Sequence, residues 1–327
     1  MPTSFVLPFF SVIIPVFNRA HDLGRAIESV LDQTCQDFEI VVVDDGSKDD
    51  PQSVAESFGD PRIRFIRQEN EGGGIARNCG IDAAIGHYVA PLDSDDVFLP
   101  HHLATMKALL EGPDNPTGDL VGYARVVVDR GDGKTFLKPP RGLRPGEDMG
   151  EYLLCDRGFV PTITIAIPRR LAQRVRYHVN LRPAEDTDFA MRLALAGGRF
   201  VMVEQPGAIW NDISDPKRTS ASVGTLRMAT WLKQMKPRMT PRAWYGARGW
   251  AFAKLVARER GRFAALLFTL QAIVRGCYAP RLALVVLLQV MLDARQYRSL
   301  ADNAIKWLRM GLREKDVAEP ATKLERA

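Results

Sequence analysis

The sequence predicts an α/β domain, Rossmann-like, with a mostly parallel sheet flanked by helices, and behind it a basic, mainly helical C-terminal region. Three observations carry this reading. Strand and helix patterns alternate through the front of the chain, acidic clusters fall directly after strand patterns, and the charge changes sign along the chain. With 327 residues, 46% hydrophobic and 25% charged, the composition is that of a globular protein and excludes general disorder. Cys35, Cys79, Cys155 and Cys277 lie far apart with no C-x-x-C pair, so neither a disulfide scaffold nor a structural zinc site is supported. A reducing cytoplasm is the setting this implies. Residues 1–10 carry no positive charge ahead of their apolar residues and no small-residue cleavage site, which argues against a secretory signal and for a lead-in to a strand.

The elements follow in order. Residues 11–16, 39–43, 63–66 and 88–92 are apolar, rich in β-branched residues and bounded by Pro, Gly or Asp, as strands are. Residues 20–33 form the clearest helix pattern, with Leu23, Ile27, Val30 and Leu31 on one face. Strand, helix, strand, helix in that order implies right-handed crossovers and parallel pairing. Residues 120–128 and 162–167 are further strand patterns, and the Gly/Pro-rich stretch 138–146 between them is expected to be a loop at a site edge or a plain connector.

In open α/β sheets, ligands gather beyond the carboxyl ends of the strands. Here those ends read Asp44-Asp45-Gly46-Ser47 and Leu92-Asp93-Ser94-Asp95-Asp96. Five carboxylates repel one another unless cations or hydrogen-bond donors lie between them. A single Asp after a strand is ordinarily a turn or helix cap; two clusters at neighbouring ends point to a site. Asp93 and Asp95 offer hard oxygen ligands that suit Mg2+ or Mn2+, and so few protein ligands leave coordination positions for substrate phosphates. Asp45 suits a hydrogen bond to a base or ribose. In Asn70-Glu71-Gly72-Gly73-Gly74-Ile75-Ala76-Arg77-Asn78, glycines lead into a helix, so backbone at Gly74 can approach a ligand and Arg77 can reach a phosphate. The first strand runs into Pro15-Val16-Phe17-Asn18-Arg19 rather than G-x-G-x-x-G, which removes the dinucleotide-binding reading.

These segments resemble the ordered motifs of family 2 glycosyltransferases: Ser11-Val12-Ile13-Ile14-Pro15-Val16-Phe17-Asn18, Val43-Asp44-Asp45-Gly46-Ser47, Asn70-Glu71-Gly72 with Ala76-Arg77-Asn78, and Leu92-Asp93-Ser94-Asp95-Asp96. Glu185-Asp186-Thr187-Asp188-Phe189 is similar to the late acidic pair of that family. The resemblance spans residues 10–216 and implies a GT-A fold, a nucleotide-sugar donor, a divalent metal and inversion at the anomeric carbon. It implies that Pro15, Val16 and Phe17 line the base, that Asp45 binds the base or its ribose, and that Asn18, Gly74, Arg77 and Ser94 adjoin the nucleotide. Asp93 and Asp95 become the DXD motif, with Asp95 or Asp96 touching the metal, and Asp186 becomes the catalytic base with Glu185 as its competitor. The helix pattern after Asp186 (Phe189, Leu193, Ala196) places it in a first helical turn, where acids also simply complement the helix dipole. No histidine follows His178, so a histidine metal ligand is not expected; Q-x-x-R-W is missing, so one sugar per event is the better reading. His21, His87, His101, His102 and His178 lack metal-ligand spacing and are expected at the surface or the site edge.

Residues 1–216 carry 22 Lys and Arg against 32 Asp and Glu, whereas residues 217–327 carry 22 against 7. The expected division is therefore a catalytic domain over 1–216, with a nucleotide-sugar half over 10–96 and an acceptor half over 97–216, then a basic helical region over 217–327. Residues 226–262 mix Trp231, Trp244, Tyr245, Trp250 and Phe252 with many cations and Glu259 as their one acid, a composition suited to a lipid headgroup layer. The apolar runs 263–274 and 282–292 are each too short to span a bilayer of about 30 Å. They predict a peripheral or monotopic hairpin at the inner face of the plasma membrane, or else a soluble helical subdomain; the polar stretch 315–327 is expected to fray. The resulting expectation is a cytoplasmic, membrane-associated transferase that moves one sugar from a UDP-type donor to a glycan or lipid-linked acceptor in bacterial surface-polysaccharide assembly. Two competing readings are a nucleic-acid-binding protein using the basic half, disfavoured because no such module is visible, and a non-catalytic nucleotide-sugar binder.

Overall fold

A computed structural model of the protein describes residues 7–131, 133, 135–179, 181, 184–212, 224–293, 296–297 and 299–300. The expectations for residues 1–6, for Pro183 and for 315–327 lie outside the described residues. Two compact units divide between Trp244 and Tyr245. In chain order the first contains β1 (Phe10–Val16), α1 (Ala20–Leu31), β2 (Phe38–Asp44), α2 (Pro51–Ser57), β3 (Ile63–Arg67), α3 (Gly73–Ala83), β4 (Tyr88–Pro91), β5 (Val97–Phe98) and α4 (His102–Leu110). It continues with β6 (Leu120–Asp129), β7 (Thr135–Lys138), α5 (Met149–Cys155), β8 (Ile167–Pro168), α6 (Arg169–Val175), α7 (Glu185–Leu195), β9 (Arg199–Asn211) and α8 (Thr225–Met235). The division falls within α9 (Pro241–Ala247).

The larger sheet has the order β3-β2-β1-β4-β8, parallel except for β8. β1 and β2 are buried along almost their whole length, as the central strands of a sheet covered on both faces must be. Leu23, Ala26, Ile27 and Val30 of α1 pack into the same core as Val12, Ile14, Ile40 and Val42. On α3, a Cβ at Gly80 would lie 2.3 Å from a methyl carbon of Ile13, so this helix approaches β1 as closely as only glycine allows. The smaller sheet, β5-β9-β6-β7, pairs β6 with β9 in parallel and carries a register shift around Arg125. The α/β class and the mostly parallel main sheet are as the alternation predicts.

Three local expectations are corrected. Residues 162–167 are not one strand: Thr162–Thr164 form a 3-10 turn, followed by the two-residue β8. The Thr164 hydroxyl donates to the Ala124 carbonyl at 2.8 Å and accepts from the Ala124 N–H at 3.3 Å, taking the place of ladder bonds. Helix α1 stops before Gln33, whose buried amide instead donates to Ser29 and Leu99 carbonyls and accepts from the Leu103 N–H. His102 is not at the surface: its ring is buried 4.6 Å from Phe98, and burial pushes its pKa down to about 3, leaving a neutral core residue.

The change of charge at 216/217 falls within residues 213–223, outside the described residues. Beyond it, α8 packs onto α7, where the buried Trp231 donates its indole N–H to Asp188 at 2.8 Å. The second unit contains a π-helical turn at Arg248–Phe252 followed by α10 (Ala253–Glu259), α11 (Arg262–Val274) and α12 (Pro280–Met291). Thr269 donates to the Gly249 carbonyl and Tyr278 to the Gly246 carbonyl, both at buried positions, and Trp250 donates to Gln289. Among the described residues no helix is long and apolar enough to cross a membrane.

Candidate active site

The strand register brings the motif segments to one edge. Val16 lies opposite Asp44, Asp44 opposite Arg67, and Ile13 opposite Pro91, so the segments after β1, β2, β3 and β4 all leave the sheet at its carboxyl end. The turn after β2 is tightly specified. Gly46 has φ +76°, and a Cβ there would come within 3.0 Å of the Asn70 nitrogen. Asn18, in the left-handed region at φ 51°, donates its N–H to Ser47 Oγ and accepts the Lys48 N–H on its side chain, tying the end of β1 to the end of β2. Asp44 accepts the Ser47 N–H at 2.8 Å. Asp45 accepts from Gln68 Nε2, the Glu71 N–H and the Gly72 N–H, so its carboxylate shapes the 68–72 loop. Beside it, Pro15 is half-buried, Val16 buried and Phe17 exposed.

The repulsion predicted from the five carboxylates is answered by the chain itself. Arg77 is buried and ion-paired to Asp93 at 2.6 Å and to Glu185 at 2.9 Å, so it does not point freely toward a phosphate position. Burial opposes its charge, but Asp93 and Glu185 outweigh that effect and hold its pKa well above the ordinary arginine value. Arg19 pairs with Asp95. Asp96 accepts the Asn211 N–H at 2.8 Å, and the Asn211 side chain donates to the Asp95 carbonyl. Ser94 is buried between these acids, and Gly74 lies against Glu185 and the His178 carbonyl rather than at an open surface.

Asp93, Asp96 and Asp186 line one cavity of about 90 Å3, together with Thr162, Phe159 and Trp210. Asp186 stands in the first turn of α7, as expected, and its Oδ1 is buried without a hydrogen-bond partner among the described residues. Burial pushes its carboxyl above the usual range; Arg77 and Thr162 work against the rise, and the charge of Asp93 adds to it. Asp188 plays a different part, buried between Trp231 and Arg192, which donates to it at 2.7 Å. The structure thus gathers Asp93, Asp96 and Asp186 into one cavity and joins Glu185 to it through Arg77. Asp45 and Asn18 sit at the same sheet edge, engaged with the chain.

Sequence reasoning missed Arg19, Asn211, Trp210, Phe159 and Thr162. Arg19 carried a usable signal, because a cation after β1 stands at the edge where β4 delivers its acids. The other four come from the loop after α5, the 3-10 turn and β9, and only the fold brings them near. Arg77 connects the end of β4 to α7, and removing it leaves two carboxylates facing each other. Arg77→Met is expected to destabilise the protein near the lower end of about 3–5 kcal/mol, since Asp93 keeps part of its solvation. Chemical denaturation of the variant against wild type measures this, and a loss below about 1 kcal/mol would contradict the role given to Arg77.

The comparisons with known proteins identify the family and the fold. The model of "Glycosyl transferase family 2" matches residues 11–174. The amylovoran biosynthesis glycosyltransferase AmsB of Erwinia amylovora is 31% identical over 246 residues, covering 72% of this chain and 80% of that protein. Glycosyltransferase GlyG of Streptococcus pneumoniae is 37% identical over 130 residues, 39% of this chain and 42% of its own. Among solved structures, S. aureus TarS 1-349 in complex with UDP-GlcNAc aligns over 82% of this chain and 87% of its own with a TM-score of 0.59 at 20% identity. Mannosyltransferase PcManGT of Pyrobaculum calidifontis, in complex with GDP-Man and Mn2+, aligns over 94% and 83% with a TM-score of 0.51 at 17% identity. At these identities the structures speak for the fold, which is GT-A. With the family model over half its length and a relative matched along most of both chains, the protein belongs to glycosyl transferase family 2 and is a glycosyltransferase.

Proposed function

We propose that this glycosyltransferase moves a single sugar, with inversion, from a nucleotide-diphosphate sugar of the UDP type to a glycan or lipid-linked acceptor in bacterial surface-polysaccharide assembly. The observation that carries the reading is the single cavity lined by Asp93, Asp96 and Asp186 at the edge where four strand-end segments meet. The UDP-GlcNAc bound by TarS favours uridine, and the similarity to a protein of amylovoran biosynthesis favours a biosynthetic role. The base of the donor rests on Pro15, Val16 and Phe17, and Asp45 orders the 68–72 loop beside it. Asp186 takes the proton of the acceptor hydroxyl. Its raised pKa makes it a stronger base than an ordinary carboxylate, and burial keeps water from competing for it. Arg77 positions Asp93 and Glu185 around it.

The residues fit a divalent metal of the open kind. No group of three His, Cys, Asp or Glu side chains able to hold an ion occurs among the described residues, whereas Asp93 and Asp96 offer hard oxygens at the cavity and Asp95, paired with Arg19, lies between them in sequence. One or two of these carboxylates would hold Mg2+ or Mn2+, with diphosphate oxygens completing the shell. When bound, the ion would supply charge neutralisation to the departing diphosphate. Calorimetric titration with UDP, GDP, dTDP and ADP, with and without Mn2+, tests the reading. One diphosphate is expected to bind in a metal-dependent way and to lose at least tenfold in affinity in Asp95→Ala; no binding to any of the four by folded protein would remove the proposal.

Asp186→Asn is expected to abolish transfer while leaving donor affinity within a few fold, and retained turnover would move the base elsewhere. Stability should change in the opposite sense. A carboxyl whose folded pKa is raised favours folding when protonated, a contribution fully present below the unfolded pKa of about 3.9 and lost as pH rises through the folded value. Asp186→Asn should therefore melt above wild type at pH 7, with the gap closing under acidic conditions.

The second unit supports attachment to an anionic membrane surface. Phe263, Leu267, Leu270 and Val274 recur at helical spacing on α11 and are 84%, 71%, 43% and 84% exposed. Exposed Arg258, Arg260 and Arg262 precede this stripe, and Arg275 and Arg281 follow it. An apolar stripe between cations suits a layer of acidic headgroups over acyl chains. The full chain should float with vesicles containing phosphatidylglycerol, and less well at high salt. The triple variant Phe263→Ser, Leu267→Ser, Val274→Ser should stay in the soluble fraction, as would wild type if no membrane role exists.

A further inference from the structure

On the smaller sheet, next to two aromatic residues of the cavity wall, stands a cation with no ion-pair partner among the described residues. The register places Lys138 opposite Val126 and Phe136 opposite Val128, and on the other side of β6 it places Trp210 opposite Val128. Alternation along the strands therefore puts Phe136, Lys138, Val126 and Trp210 on one face of the smaller sheet. Phe159, from the loop after α5, stacks on Trp210 with centroids 5.7 Å apart. The Lys138 ammonium lies 5.3 Å from the Trp210 ring centre and 5.7 Å from those of Phe136 and Phe159. Three rings thus take the place of much of its water, and among the described residues it has no hydrogen-bond or ion-pair partner. Burial depresses its pKa; the charge of Asp212 resists this, and Arg130 and Arg157 reinforce it. Phe159 and Trp210 also line the cavity that holds Asp93, Asp96 and Asp186.

The geometry points to Lys138 as the recognition point for a negatively charged group on the acceptor, with Trp210 and Phe159 as the wall against which the acceptor sugar packs. This rests on the reading that the cavity receives the acceptor hydroxyl at Asp186. A ring with an apolar face and a polar rim suits an aromatic wall beside a carboxylate base, and an ammonium with three free donors suits a phosphate or carboxylate next to that ring. The acceptor class is therefore an anionic glycan: a sugar that carries, or adjoins, a phosphate ester or an acidic carboxylate.

The test titrates the full chain, saturated with UDP and Mn2+ so that the donor position is filled, with glucose 1-phosphate, glucuronate and glucose. At least one anionic sugar is expected to bind about tenfold more tightly than glucose. Lys138→Met should bring that preference to within twofold, Lys138→Arg should keep most of it, and neither should alter UDP affinity. Preference for the phosphate alone would identify a phosphorylated or lipid-phosphate acceptor, and equal preference for glucuronate would identify acidic sugars more generally; both support the assignment. A preference that survives in Lys138→Met, or no binding of either anion, would overturn it. So would a parallel loss of UDP affinity, which would move Lys138 to the donor. If wild type binds no UDP, the transferase reading fails by itself, and the same sugar series on the unliganded protein still decides whether Lys138 selects anions.

Discussion

The buried guanidinium of Arg77 is the interaction around which the site is organised. The carboxyl edge of the main sheet collects acids from β4 and α7, elements separated by about ninety residues of chain, and in the absence of a cation between them they would push the edge apart. Arg77 holds one from each, and the packing of α3 on β1 fixes where Arg77 stands. A buried ion pair of this kind contributes little net stability compared with a well-packed apolar contact, but it imposes a definite geometry on its partners. Here that geometry keeps Asp186 in the cavity with an oxygen unengaged.

The remaining acids are neutralised by the same principle with different donors. Backbone N–H groups serve Asp45, Arg19 serves Asp95, and β9 serves Asp96 through Asn211. Asp45 is thereby held by backbone, and Asp95 and Asp96 by Arg19 and Asn211, both far from them in sequence, while the cavity takes much of its wall from the smaller sheet and the loop after α5. The two sheets are joined in sequence by β5, which begins directly after Asp96 and pairs with β9 beside Trp210. A short strand thus fixes the distance between the acids and the aromatic wall.

Much of this was legible in the sequence because it is local. Alternating strand and helix periods, acids directly after β-branched runs and the glycines at 72–74 are all read from windows of about a dozen residues. What was not legible depends on contacts between distant segments. Residues 162–167 read as a strand by composition, yet the Thr164 hydroxyl takes the Ala124 backbone and bends the chain into a turn. His102 reads as a surface residue next to His101, but the first turn of α4 directs it into the core against Phe98. Lys138 opens the Gly/Pro-rich stretch expected at a site edge, but Trp210 is more than seventy residues away, and only the register of β7, β6 and β9 puts the two on the same face.

The approach of α3 to β1 at Gly80 has a consequence for how this enzyme can vary. Three residues of helix, about 4.5 Å of rise, separate Gly80 from Arg77. Because the main chain of α3 rests on Ile13 with less than a methyl group to spare, any larger residue at position 80 would have to lift the helix, and the lift would be transmitted along a rigid rod to the guanidinium one turn away. The placement of Arg77 between its two carboxylates is therefore set at a position that bears no functional group. Substitutions on the smaller sheet leave this contact untouched, so the wall formed by Trp210 can change shape while the carboxylates keep their places.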